Sequence, residues 1–292
     1  MKNSKHEGKG IKNNVLTATL ILGAITMLFL GIIQVAAETE YNKINIIPTS
    51  YANYTEEHSK TVQNSLPEGY KKADYTVGTI DLEYYKKQSP TSKDMKKEDA
   101  AEIGAQALWS VFRVNLDGQV IEMGYHAPNE GLPRPRWNAD VNIDGEGSYS
   151  FSVDSVTGEL LSIGRSRTLT EEVSVAFDPL LDKNPQEFIE LAWRTAETLN
   201  IVNGPVLSVE YNGQGFANND PSISLDIKGE NGKMALMTFS RYDKALLGIS
   251  YNAEYKYTLE IIERMEQELD YLNSISTGNE NGKPTLKVLE ER

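Results

Sequence analysis

The chain has 292 residues, 39% of them hydrophobic, 24% charged and 9% aromatic, which is the make-up of a folded protein of one to three domains. Its 42 acidic and 29 basic residues leave a net charge of −13, against the basic face that a nucleic-acid binder needs. There is no cysteine and there are three histidines, His6, His58 and His126; disulfides, thiolate metal sites and a cysteine nucleophile are excluded, and little remains for other metal chemistry.

The first 14 residues carry Lys2, Lys5, Lys9 and Lys12 against Glu7, a charge of +3. Residues 15–37 then run without a charge, and as a helix at about 1.5 Å per residue they would cross a hydrocarbon core of about 30 Å. The lysines precede the span, so the positive-inside rule expects 1–14 in the cytoplasm and the remainder outside. Val35-Ala36-Ala37 also reads as a signal-peptide cleavage site, which would release the chain after Ala37; the length of the apolar run favours an uncleaved anchor. Either way residues 38–292 are expected outside the cytoplasm, as in bacteria with one membrane; taking the +3 of the first segment from the total of −13 leaves them −16.

Residues 38–91 read as a stalk or linker, although the alternation at Tyr75, Val77 and Thr79 suggests one strand and 71–91 could pack on the next domain. From Thr91-Ser92, a capping pair, Ala100, Ile103, Ala107, Leu108 and Val111 fall on one helix face. Four alternating runs come next, at 121–125, 137–143, 149–153 and 161–163, with short turns between them, as in an antiparallel meander. The order then repeats. Asn184-Pro185-Gln186-Glu187 opens a helix striped by Phe188, Leu191, Ala192, Thr195, Ala196 and Leu199, and runs at 206–211, 222–228, 233–239 and 245–251 read as strands. Leu161-Ser162-Ile163 corresponds to Leu247-Gly248-Ile249, and Leu108-Trp109 to Ala192-Trp193, which points to an internal duplication. Leu259, Ile262, Met265, Leu269 and Leu272 stripe a last helix over 253–275, and 276–292 reads as a flexible tail. The expected fold is α+β: an N-terminal transmembrane helix, two units at 92–168 and 169–252, each one helix on a four-stranded antiparallel sheet, and a C-terminal helix.

The first unit carries a family signature. Lys97-Glu98-Asp99-Ala100-Ala101-Glu102-Ile103-Gly104, together with the run from Tyr149 through Val153-Asp154-Ser155-Val156-Thr157-Gly158-Glu159 to Ile163, resembles the PepSY domain. Phe151 stands where that pattern has an aliphatic residue, and Tyr242-Asp243-Lys244-Ala245 replaces the Thr-Gly-Glu turn in the second unit, a degenerate repeat. The resemblance implies a non-catalytic module that binds or inhibits peptidases. Inhibition would act in trans, because no His-Glu-x-x-His motif is present.

Other constellations have plainer explanations. Asn142 to Gly147 opens like a calcium loop, but Val153 stands where the bidentate Glu belongs. No Gly-x-Ser-x-Gly motif supports a serine nucleophile, and the glycines at 213 and 215 do not lie between a strand and a helix, so they make no phosphate cradle. Neither a cofactor nor an enzymatic activity is expected. Candidate partner contacts are His126, Arg134, Arg136 and Trp137 around the Pro-rich connection 126–137, and Gln214 and Phe216 in the matching connection 212–220. The expected partner is a protein of the bacterial cell envelope, a peptidase in the reading that the resemblance implies. The alternative is a sensor that binds a small molecule or cell-wall fragment between the two repeats.

Overall fold

The structure, a computed structural model, describes residues 66–277 apart from 130, 131 and 146. In chain order it holds β1 (Thr76–Thr79), α1 (Glu83–Lys86), α2 (Lys97–Phe112), β2 (Val120–His126), β3 (Arg136–Ile143), β4 (Gly147–Asp154) and β5 (Leu160–Ser166). A second half continues with α3 (Pro179–Lys183), α4 (Gln186–Thr198), β6 (Val206–Ala217), β7 (Asp220–Gly229), β8 (Met234–Ser240), β9 (Leu246–Ser250) and α5 (Asn252–Thr277). Among the described residues no helix is long and apolar enough to cross a membrane; the span expected at 15–37 lies outside them, as do 38–65 of the stalk and the tail from 278.

The two expected meanders are present, but they do not form two separate sheets. All nine strands make one sheet in the order β1-β2-β3-β4-β5-β9-β8-β7-β6. The correction has a simple cause: a four-stranded sheet leaves its last strand with unpaired backbone groups, and here β5 and β9 satisfy each other. They pair antiparallel as Ser162↔Ser250, Ile163↔Ile249 and Gly164↔Gly248. Ile163 and Ile249, equivalent positions of the repeat 86 residues apart, face each other, so a local two-fold axis passes between them.

The duplication is carried by backbone geometry more than by residue identity. Each half has a bulge at the same place, between Ser152 and Val153 and between Thr238 and Phe239. In the turn after β4, Gly158 N–H donates to the Asp154 carbonyl at 2.9 Å; after β8, Lys244 N–H donates to the Ser240 carbonyl at 3.0 Å. Gly158 has φ +73° and Lys244 φ +62°, so a lysine occupies the left-handed position where the first half has glycine. The side-chain acceptors are exchanged in the same way. Asp154 Oδ1 accepts from Val156 N–H, and Ser240 Oγ from Tyr242 N–H; Thr157 Oγ1 accepts from Glu159 N–H, and Asp243 Oδ1 from Ala245 N–H. The second half is therefore degenerate in sequence but intact in its turn.

One face of the sheet carries the main core. Trp137, Ala139 and Val141 on β3, Phe151 and Val153 on β4, and Ile223, Leu225 and Ile227 on β7 alternate inward and join the buried faces of α2 and α4 in one cluster. Burying each of the larger of these side chains is worth roughly 1.5–3 kcal/mol. Small residues let α2 approach closely: at Gly104 a Cβ would lie 2.1 Å from the Phe151 ring. No side chain caps α2, whose N-cap is Lys96; Thr91 instead bonds Asp94 in the preceding turn.

The described part of the expected stalk is built into the fold. β1 extends the sheet by pairing parallel with β2, and the Tyr70 and Tyr75 hydroxyls donate to Glu102 of α2 at 2.8 and 2.6 Å. Among the described residues no strand lies beyond β6 in the second half, and α4 lies over β6 and β7 there. On the opposite face of the sheet α1 covers β2 and α5 packs across β8 and β5.

Candidate functional site

Three polar assemblies surround the residues picked out by the sequence. The first closes one end of the opening half. Arg134 lies 2.8 Å from Asp154 and donates from both terminal nitrogens to Glu159 at 3.0 Å. The Asp154–Glu159 run thus closes its turn with one carboxylate oxygen and seats Arg134 with the other. Trp137 is core: 7% exposed, edge-on to Tyr125 with centroids 5.3 Å apart, its indole N–H donated to the Met95 carbonyl at 3.0 Å.

The second assembly lies on the α5 face, where the first half meets the root of α5. Arg136 and Glu254, 118 residues apart, form a buried ion pair: one guanidinium nitrogen reaches both carboxylate oxygens, at 2.9 and 2.8 Å. His126, 2% exposed, stands opposite Arg136 in the β2–β3 register and against the Tyr84 ring, with centroids 5.5 Å apart. Burial first, and then the charge of Arg136, hold this imidazole below its ordinary pKa and therefore neutral near pH 7. His126 Nδ1 and Arg136 Nε have no hydrogen-bond partner among the described residues. Beside them Tyr85 accepts from Asn138 at 3.2 Å. This arrangement works as a lock that fixes α5 to β3. Deeper on the same face Tyr255 donates to Asp226, which also accepts from Asn212 at 3.0 Å; burial raises the pKa of both Tyr255 and Asp226.

The third assembly closes the end of the second half. Gln214 and Phe216 are not loop residues. A bulge between Tyr211 and Gly213 carries β6 on to Ala217, and the hairpin turn is only Asn218-Asn219, with Asn218 at φ +53°. Gln214 accepts from Asp178 N–H at 3.0 Å, donates to the Asp178 carbonyl at 2.9 Å and accepts from Arg241 at 2.8 Å. Arg241 in turn donates to the Ala176 carbonyl at 3.0 Å. Arg167 grips Asp243 with two nitrogens, at 2.8 and 2.7 Å, and Asp220 with its Nε at 2.7 Å; Asp243 is held down to about 2, chiefly by Arg167.

Of the six candidates, then, His126, Arg136, Trp137 and Gln214 are buried and Arg134 is spent on internal pairs, while Phe216 stands 55% exposed. Two side chains that sequence reasoning passed over flank the same Gln214–Asp178 clamp: Phe177, 57% exposed, and Leu180, 77% exposed. Their signal was two large apolar residues in a segment without helical or strand period. Asp178 caps the short α3 by accepting from Leu180 and Leu181 N–H, which sets the backbone there. Among the described residues no group of three or more His, Asp or Glu side chains could hold a metal ion, and Asn142, Ile143 and Gly147 are ladder residues of the β3–β4 hairpin.

No family model matches the chain, and no curated protein matches it. Among solved structures it is similar to the C-terminal domain of Bacillus megaterium YpeB, with 11% sequence identity and a TM-score of 0.35. The match covers 56% of this chain and 65% of that one, just under two thirds of its length.

Proposed function

We propose that this chain is a non-catalytic, membrane-tethered module of two PepSY-like repeats that binds a protein partner outside the cytoplasm. The observation that carries the reading is the end of the second half, where Phe177, Leu180 and Phe216 stand in water around a clamp of Gln214, Asp178 and Arg241. Large apolar side chains exposed at one end of the fold mark interaction sites, because burying them on a partner removes apolar surface from water. The tether is residues 15–37. The partner class is an envelope peptidase, on the sequence likeness of 149–163 to the PepSY pattern. A ligand held between the repeats is the weaker reading, since they meet in hydrogen-bonded strands at β5 and β9 and not across a cleft.

The test is a pull-down from native envelope extract with the purified protein, compared with a Phe216→Ser/Leu180→Ser variant. Capture of a protein at near-stoichiometric yield, lost in the variant and accompanied by slowed peptidase activity, supports the reading. Equal capture by both proteins overturns the assigned surface.

A further inference from the structure

We infer that the outer edge of β6 accepts a strand, and that its occupant is an extended segment of a partner protein laid parallel to Ser208–Tyr211. The duplication supplies the template. Glu122 stands opposite Asp140 and Glu210 opposite Asp226, and the two aspartates are 86 residues apart, the offset of the repeat. Val120–Met123 of β2 therefore correspond to Ser208–Tyr211 of β6. In the first half that edge is filled. β1 lies parallel along it, from Thr76↔Val120 to Thr79↔Met123, and Thr76 and Ile80 N–H donate to the Gln119 and Met123 carbonyls at 3.0 and 3.1 Å. In the second half, among the described residues, no strand lies beyond β6 and no backbone group of 207–211 bonds outside β7.

The edge also lacks the usual protection, since exposed edges are normally short or carry lysine or proline. β6 has 12 residues, neither lysine nor proline, and a single charge, Glu210. Its bulges, at Val206/Ser208 and Tyr211/Gly213, flank the four residues and leave them in regular register with β7. β1 tells what the occupant must carry. Val77, opposite Ile121, packs on the core, and Val209 is the equivalent of Ile121, so an aliphatic residue belongs beside Val209. The segment before α4, where the first half has β1 before α2, is engaged elsewhere: Arg167 with Asp220 and Asp243, Leu169 with Asn219, Asp178 with Gln214. Glu68 and Tyr70 lie against α2 near β1, at the opposite edge of the sheet. A second copy related by a two-fold axis would pair antiparallel, as β5 and β9 do, and not in the parallel sense of the template. Ser208–Tyr211 end before the bulge that leads to Phe216, so this reading and that of the Phe216 surface can fail separately.

The probe is a synthetic peptide of residues 71–82, which contains β1 and so fits the equivalent edge. It is offered to the purified 292-residue protein in neutral-lipid nanodiscs under a glutathione redox buffer. The chain has no cysteine, so a single substitution reports position. Parallel pairing puts the Thr76 position of the peptide beside Ser208, at the strand spacing of about 4.8 Å that a disulfide spans. The expected result is disulfide trapping of a Thr76→Cys peptide by the Ser208→Cys protein, about tenfold above two controls. One control is an Ile80→Cys peptide, which antiparallel pairing would bring to Ser208; the other is a Val120→Cys protein, whose edge β1 covers. A peptide N-methylated at Thr76 and Ile80 loses two hydrogen bonds of about 1 kcal/mol each and should bind about tenfold or more weakly by fluorescence anisotropy. Equal trapping of the two peptides, equal trapping by the two proteins, or equal binding of the N-methylated peptide overturns the inference. So does a Ser208→Cys protein that cross-links to itself, which would make a second copy the occupant. A Ser208→Cys protein that traps no peptide overturns it too, and would leave the edge to residues 278–292 of this chain.

Discussion

Removing Arg136 should be the most damaging single change on the α5 face. The side chains of Arg136 and Glu254 are 5% and 9% exposed, and Arg136 is the cation that neutralises the carboxylate. Arg136→Ala therefore strands a buried charge, a loss of about 3–5 kcal/mol in comparable cases. Glu254 lies in the first turn of α5, where the helix dipole returns about 0.3–1 kcal/mol to a carboxylate. The expected net loss is about 2–4 kcal/mol. For a folded region of about 200 residues that lowers the unfolding temperature by roughly 4–16 °C. Glu254→Gln, which keeps a hydrogen-bond acceptor without the charge, should cost less. Arg136→Met/Glu254→Leu should come near the wild type, since apolar replacement of a buried pair is often neutral or stabilising. The assay is calorimetric unfolding of the wild type and the three variants, each compared with the wild type. An Arg136→Ala protein within about 0.5 kcal/mol of wild type would refute the lock, because a surface pair is worth that little.

Three further outcomes rest on the same geometry. His126 is held neutral, so in acid the unfolded chain takes up a proton that the folded one refuses; stability is full above pH 6.5, the ordinary histidine value, and falls as pH drops below it. Unfolding measured from about pH 5.5 to 8 should show that slope, and His126→Asn should flatten it although Arg136, Glu254 and Tyr84 still face the site. Gly104→Ala puts a methyl 2.1 Å from the Phe151 ring and should cost about 1–3 kcal/mol by denaturant unfolding, with part recovered by adding Phe151→Leu; an unchanged midpoint would mean that α2 sits further from the sheet. Lys244→Gly should stabilise by about 1 kcal/mol, since a lysine at φ +62° strains the turn and its exposed pair with Glu187 is worth little; a loss greater than that would show that the turn is not the equivalent of the one at Gly158.

Much of the architecture was legible because it rests on local pattern. Alternation placed seven of the strands to within about three residues and β6 at its start but six residues short of its end, and the likeness of Leu161-Ser162-Ile163 to Leu247-Gly248-Ile249 marked the strands that meet at the two-fold axis. What local pattern does not contain is the choice an edge strand makes. An alternating run reads the same whether its free edge meets water or another strand, so two sheets and one sheet were indistinguishable until Ile163 was seen opposite Ile249. β1 was half-legible for the same reason: a four-residue strand depends on a partner more than 40 residues away, Val120 to Met123.

Four of the six candidate residues share one feature. Arg134, Arg136, His126 and Gln214 were chosen as polar groups near loops, where binding residues gather. Each has an internal partner or neighbour remote in sequence: Glu159, Glu254, Tyr84 and Asp178. A polar residue is costly to bury alone but cheap to bury paired, and pairing at such separations leaves no trace in composition or spacing. The exposed apolar side chains behave oppositely. Phe177, Leu180, Met265 and Leu269 are side chains that a folded chain normally hides, and the fold leaves them in water at the end of the second half and along the C-terminal helix. In this protein the surface signal therefore lies with apolar residues that the core did not take, whereas Arg134, His126 and Gln214 are tied within their own halves and Arg136 to the C-terminal helix.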